Sequence, residues 1–157
     1  MAAPPRSPIG LQLARATKVV SGAFDDALAA AGGSLPVWLV LLSLKTRQPD
    51  NQRELAEAVG IQEATLTHHL NAMAAQGLLT RDRDPSNRRV HQVRLTSRGE
   101  EAFLRLRTAA VEFDRRLRDG IRDGELEGLD RILQRLSANV TEPAKVTEPD
   151  GAGELSR

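Results

Sequence analysis

Between Asn51 and Thr96 the apolar residues change their spacing once, and that change limits the folds open to the chain. Through Leu66, Leu70 and Met73 they recur at three- and four-residue steps, which places them on one face of a helix. Beyond Gly77 the period shortens. Leu78-Leu79-Thr80 and His91-Gln92-Val93-Arg94-Leu95 read as two short strands, with Val93 and Leu95 alternating with polar neighbours. The polar stretch Asp82 to Arg89 between them reads as a hairpin loop. A run of helices closed by one hairpin predicts a mainly α fold with a small β-hairpin wing.

The punctuation around this segment agrees. Asn51, with Glu54 three residues on, has capping-box spacing and opens a short helix, Gln52 to Val59. Gly60 turns the chain, a second helix runs from about Glu63 to Gln76, and Gly77 ends it. Upstream, Ile9, Leu13, Ala16, Val20, Phe24 and Leu28 form one apolar stripe that stops at Gly32-Gly33. Ser34 is the expected N-cap of the next helix, with Pro36 in its first turn, and Pro49-Asp50 breaks that helix. Downstream, Thr96 is expected to cap a long helix, Ser97 to Arg118, carrying Ala102, Phe103, Leu106, Ala110, Phe113 and Leu117 on one face. Gly120 and Gly124 interrupt it before a last amphipathic helix with Leu126, Leu129, Ile132, Leu133 and Leu136.

Composition removes several classes of function. Cysteine is absent, which excludes disulfides, thiolate metal sites and Cys-based redox chemistry. Tyrosine is absent and aromatics are 3%, too few for the stacking platforms that hold single-stranded nucleic acid. No apolar run approaches the roughly 18 residues of a membrane span. The longest, Val37 to Leu42, reads as a buried helix face, and Met1 to Pro8 lacks the apolar core of a secretory signal. These features predict a cytoplasmic protein with no membrane partner. A Gly-rich phosphate loop, a G-x-S-x-G elbow and an H-E-x-x-H pair are all missing, so an enzyme is not expected. His68 and His69 are adjacent and His91 stands apart, so neither a metal site nor a cofactor is expected.

The net charge of +1 conceals an uneven distribution. From Arg81 to Arg98 there are six arginines (Arg81, Arg83, Arg88, Arg89, Arg94, Arg98) against two aspartates, Asp82 and Asp84. The tail carries Glu142, Glu148, Asp150 and Glu154 against Lys145 and Arg157. A basic patch of this density suits phosphate.

Helix, Gly turn, helix and hairpin in this order make a winged helix-turn-helix, whose second helix enters the major groove. The residues also resemble the MarR family of regulators. The resemblance is carried by Leu55-Ala56-Glu57-Ala58-Val59-Gly60-Ile61, Thr65-Leu66-Thr67-His68-His69-Leu70 and Gly77-Leu78-Leu79. It continues through Asp84-Pro85-Ser86-Asn87-Arg88-Arg89 and Val93-Arg94-Leu95-Thr96-Ser97-Arg98-Gly99. The D-P-x-x-R-R turn followed by L-T-x-x-G is the most specific part. The family usually has Asp at the position of Asn87, where it braces the wing arginine; Asn can hydrogen-bond Arg88 without the ion pair.

The resemblance implies a homodimer that binds double-stranded DNA at a pseudo-palindromic operator, usually as a repressor relieved by a small anionic, aromatic or phenolic effector. It further implies one domain over 9–139, with 34–96 as the winged helix-turn-helix and 9–33 with 97–139 as dimerisation helices. Residues 1–8 and the acidic tail 140–157 are expected to be disordered.

On the second helix of the motif, Gln62, Ala64, Thr65, Thr67, His68 and Asn71 lie on or near the outward face. Thr65, Thr67 and His68 are the leading candidates for base-edge or phosphate contact, against the bland alternative of a solvated face. His69 is placed nearer the core. Gln52 and Arg53 at the start of the preceding helix are phosphate candidates. Arg88 and Arg89 at the wing tip are the candidates for a narrow minor groove, where negative potential is enhanced. Phe24 and Trp38 are the candidates for an effector pocket, against a purely structural role. The competing reading is a winged-helix protein-interaction module that does not bind DNA, which the basic wing opposes.

Overall fold

The structure is a computed structural model, and it describes residues 7–47, 49, 51–83 and 91–141. In order, the elements are α1 (Ile9–Ala30), α2 (Leu35–Thr46), α3 (Gln52–Val59), α4 (Glu63–Ala75), β1 (Leu79–Arg83), β2 (His91–Leu95), α5 (Ser97–Leu117) and α6 (Asp123–Thr141). They fall into two units, divided between Leu117 and Arg118.

In the first unit α2 is the centre. It is apolar on every side, which suits a helix surrounded by others. It buries Trp38, Val40, Leu41 and Ser43, and packs against α1, α3, α4, α5 and β2. Leu28, Leu55, Leu66, Leu70, Met73 and Leu106 join it in one continuous core. The stripe of α1 is buried at its C-terminal end alone: Leu28 is enclosed, Leu13, Val20 and Phe24 are half-buried, and Ala16 is exposed. Val19 on the same helix is 71% exposed.

The turns are fixed by named groups. Ser34 occupies the N-cap of α2, but its hydroxyl makes no capping bond. The Leu35 N–H instead donates to Asp25 Oδ1 on α1, at 3.1 Å. Asn51 caps α3 as expected, its Oδ1 accepting from the Glu54 N–H at 3.0 Å. Its Nδ2 donates to Glu54 Oε1 at 2.8 Å, so the box closes through the two side chains. Gly60 ends α3 in the left-handed region, at φ 76°, which lets the Ile61 N–H return to the Ala56 carbonyl at 3.1 Å.

Strands β1 and β2 are antiparallel, with Leu79 opposite Leu95 and Arg83 opposite His91. The first strand thus runs to Arg83, past the expected end at Thr80. Asp82 and Arg83 join the ladder, because pairing is a backbone property and β2 offers partners along its whole length. The resemblance-bearing Thr96 then locks the hairpin to the helices. Its Oγ1 donates to the Gly77 carbonyl at 2.6 Å and accepts from the Gly99 N–H at 3.1 Å. Its own N–H donates to the Leu78 carbonyl at 3.1 Å.

In the second unit α6 begins at Asp123, so Gly124 lies in its first turn and Gly120, at φ 77°, is the break. The Arg122 side chain and backbone N–H both bond Glu125, holding its carboxyl below the ordinary value. The helix reaches Thr141, slightly beyond the expected end at Asn139. Leu129, Ile132 and Leu133 are 49%, 58% and 41% exposed, leaving an apolar stripe uncovered. No single helix among the described residues is long and apolar enough to cross a membrane.

Candidate nucleic-acid interface

Helix α4 is held by Leu66, Leu70 and Met73, all buried, and that anchoring decides what faces outward. Gln62, Ala64, Thr65, His68 and Asn71 are exposed. Thr67 is half-buried, turned toward α3. His69 is also half-buried, nearer the core than His68, and the two imidazoles meet edge-on with centroids 6.0 Å apart. Among the described residues, no three acidic or imidazole side chains group to hold a metal.

Four side chains from three elements meet at one edge of this face. The Arg81 guanidinium on β1 donates through Nη1 to Asn71 Oδ1 on α4. Through Nη2 it donates to Gln52 Oε1 on α3, at 2.9 Å. Gln52 Nε2 donates to Thr67 Oγ1, and that hydroxyl donates to the Glu63 carbonyl at 2.9 Å. Three residues nominated for DNA contact are therefore joined to one another. Arg53 is separate, exposed, and paired with Glu57 at 3.3 Å one turn along α3.

Arg81 is one arginine of the basic patch, and strand alternation carries the signal that distinguishes it from the others. Leu79 and Arg81 are two residues apart on β1 and share a face. Leu79 is 2% exposed, so Arg81 also points inward. Its Nε is enclosed and has no hydrogen-bond partner among the described residues.

The wing-tip candidates Arg88 and Arg89, together with Asn87, lie outside the described residues. The effector candidates occupy separate aromatic pairs, each with a partner on α5. Phe24 meets Phe113 with centroids 4.9 Å apart, and Trp38 stacks on Phe103 at 5.7 Å and 12°. Lys45 lies over the Phe103 ring and pairs with Glu100 at 2.9 Å, tying α2 to α5 beside the Trp38 stack.

Known proteins share this arrangement, and one of them has been solved on DNA. The MarR family model matches residues 34–91. The transcriptional repressor CouR, solved on a 23-mer DNA duplex, is 28% identical with a TM-score of 0.75, covering 83% of this chain and 92% of its own. CouR from Rhodococcus jostii RHA1, solved with p-coumaroyl-CoA, is 25% identical with a TM-score of 0.68, over 83% of this chain and 92% of that one. A MarR-family transcriptional regulator from Rhodococcus sp. RHA1 is also 25% identical, at a TM-score of 0.69, over 82% and 93%. Its winged helix-turn-helix, its α4 face and these likenesses together make the chain similar to DNA-binding transcription regulators, with residues 34–91 matching the MarR family model.

Proposed function

We infer that the protein is a homodimeric, effector-responsive repressor that reads a pseudo-palindromic operator, and that it is not an enzyme. The observation that carries the reading is the exposed polar face of α4, which includes Thr65 and His68, on a helix whose other side is locked into the core. Residues of this kind reach base edges and phosphates. In the duplex-bound relative the same fold is seen on DNA. Arg88 and Arg89 supply wing contacts in this proposal, with Gln62, Ala64 and Arg53 at the margin of the α4 footprint. Such a protein works where the chromosome is, in the cytoplasm.

Dimerisation is supported by apolar surface that one chain leaves open. In the first unit, Ile9, Leu11 and Val19 on α1 and Leu104 and Val111 on α5 are exposed. In the second, the stripe on α6 is exposed. A second copy of the chain covers such residues most economically. Treating 9–139 as one functional domain is part of this proposal. For the effector, the relative solved with p-coumaroyl-CoA supports an aromatic, anionic ligand, and Phe24 and Trp38 remain the aromatic candidates to meet it.

Gel-shift titration against the intergenic DNA upstream of its own gene, across a salt series, tests the reading. A specific complex whose affinity falls steeply with salt is expected. Absence of that complex would favour the protein-interaction module. Arg88→Ala should weaken the specific complex by about 1–3 kcal/mol with the dimer intact. Unchanged affinity would remove the wing from the interface.

A further inference from the structure

We propose that Arg81 is a positioning residue that fixes which hydrogen-bonding groups α3 and α4 present to DNA, an inference that rests on the DNA-binding reading above. A guanidinium has donors and no acceptor. Any amide beside it must therefore turn its oxygen inward. Arg81 does this to two amides at once, Asn71 through Nη1 and Gln52 through Nη2. The consequence for Asn71, which is exposed at the outer edge of α4, is directional: Oδ1 is held toward Arg81 and the Nδ2 donors are left for a partner.

An unconstrained Asn reads adenine by accepting from N6 and donating to N7. Held as it is here, Asn71 offers donors, and the partners it favours are acceptors: a phosphate oxygen, guanine O6 or N7, or thymine O4. Gln52 is polarised in the same sense. Its Oε1 takes the Arg81 proton, so Nε2 points to Thr67, whose own proton goes to the Glu63 carbonyl. One guanidinium thus sets the polarity of a chain running from β1 through α3 to α4. It also ties the base of the wing to the reading helix.

Arg81 is buried at Nε and shares the face of Leu79, which sets it apart from a freely solvated phosphate contact. Lysine cannot replace it, because a single ammonium on a flexible stem does not span two amides with fixed geometry. That difference separates positioning from simple charge.

The full-length protein, Arg81→Lys and Arg81→Met would each be titrated with duplexes that the wild-type chain selects from a random pool, and with scrambled duplexes. For both variants we expect at least tenfold weaker binding to selected duplexes, affinity for scrambled duplexes within twofold, and an unchanged salt slope. If Arg81→Lys restores the selected affinity, or Arg81→Met lowers both affinities equally with a salt slope smaller by about one, Arg81 is a phosphate contact and the proposal is overturned. Unchanged binding by both variants also overturns it. Side-chain amide NMR signals of Gln52 and Asn71 in the free protein supply a reading independent of DNA. They should sit away from solvent-exposed positions in the wild type and move there in both variants; signals unmoved by either substitution would refute the network. A wild-type chain that enriches no sequence would instead overturn the DNA-binding reading itself.

Discussion

A β-carbon built on Gly99 would lie 1.9 Å from the Leu78 carbonyl oxygen, and that oxygen already accepts the Thr96 N–H. The obstacle is backbone in a hydrogen-bonded corner, so it cannot swing aside as a side chain would. Gly33 is a useful contrast. Its β-carbon would meet the Leu106 methyls at 2.6 and 2.7 Å, and these terminate a side chain that can change rotamer at some cost in the core. Gly99→Ala should therefore destabilise the fold by about 3 kcal/mol or more, and Gly33→Ala by roughly 1–2 kcal/mol. Urea denaturation of the two variants checks the ranking, and equal midpoints would show that the Gly99 corner yields as easily as Leu106. The glycine of L-T-x-x-G is thus explained by space: α5 starts against the strand that leads into the wing.

Thr96 plays the matching part at the level of elements, since one hydroxyl closes the end of α4 and opens α5. Removing it in Thr96→Ala deletes a cap and leaves the Gly77 carbonyl without that donor. The expected loss is about 1–2 kcal/mol, together with faster hydrogen exchange at Gly99, and unaltered exchange there would argue against the cap. Thr96 was legible as a cap from sequence because its partner lies three residues away. Asn51 and the ends of α3 were legible for the same reason: local bonds leave local patterns. What sequence hid is tertiary. The true cap of α2 is Asp25, ten residues upstream on another helix, and Ser34 merely occupies the expected place. The extra length of β1 comes from its partner strand, beyond the reach of its own polar residues to announce. Of the candidate site, the outward set Thr65 and His68 followed from helical period. Thr67 and Asn71 were placed on the right helix, but their engagement with Gln52 and Arg81 depends on how three elements meet.

For the whole molecule, the decisive quantity is how many reading heads engage one duplex. A single α4 face with its wing makes few contacts. Joining two of them turns the second engagement into an intramolecular event, which can raise affinity by roughly a hundredfold or more without any new contact. Exposed apolar residues on α1 and α5, and independently along α6, are what a partner chain would cover. Leu133→Glu places a charge in the α6 stripe, where burial against another chain would strand it without a partner. Sedimentation should then show monomer at concentrations where the wild type is dimeric. Binding to a two-half-site duplex should fall by roughly two orders of magnitude, the linkage contribution. Binding to a duplex with one half-site should match the wild type, since α3, α4 and the wing are untouched. This last comparison carries the argument: loss on both duplexes would mean that the substitution damaged the reading head. A variant that stays dimeric would show that α6 lies outside the interface, leaving α1 and α5 to supply it.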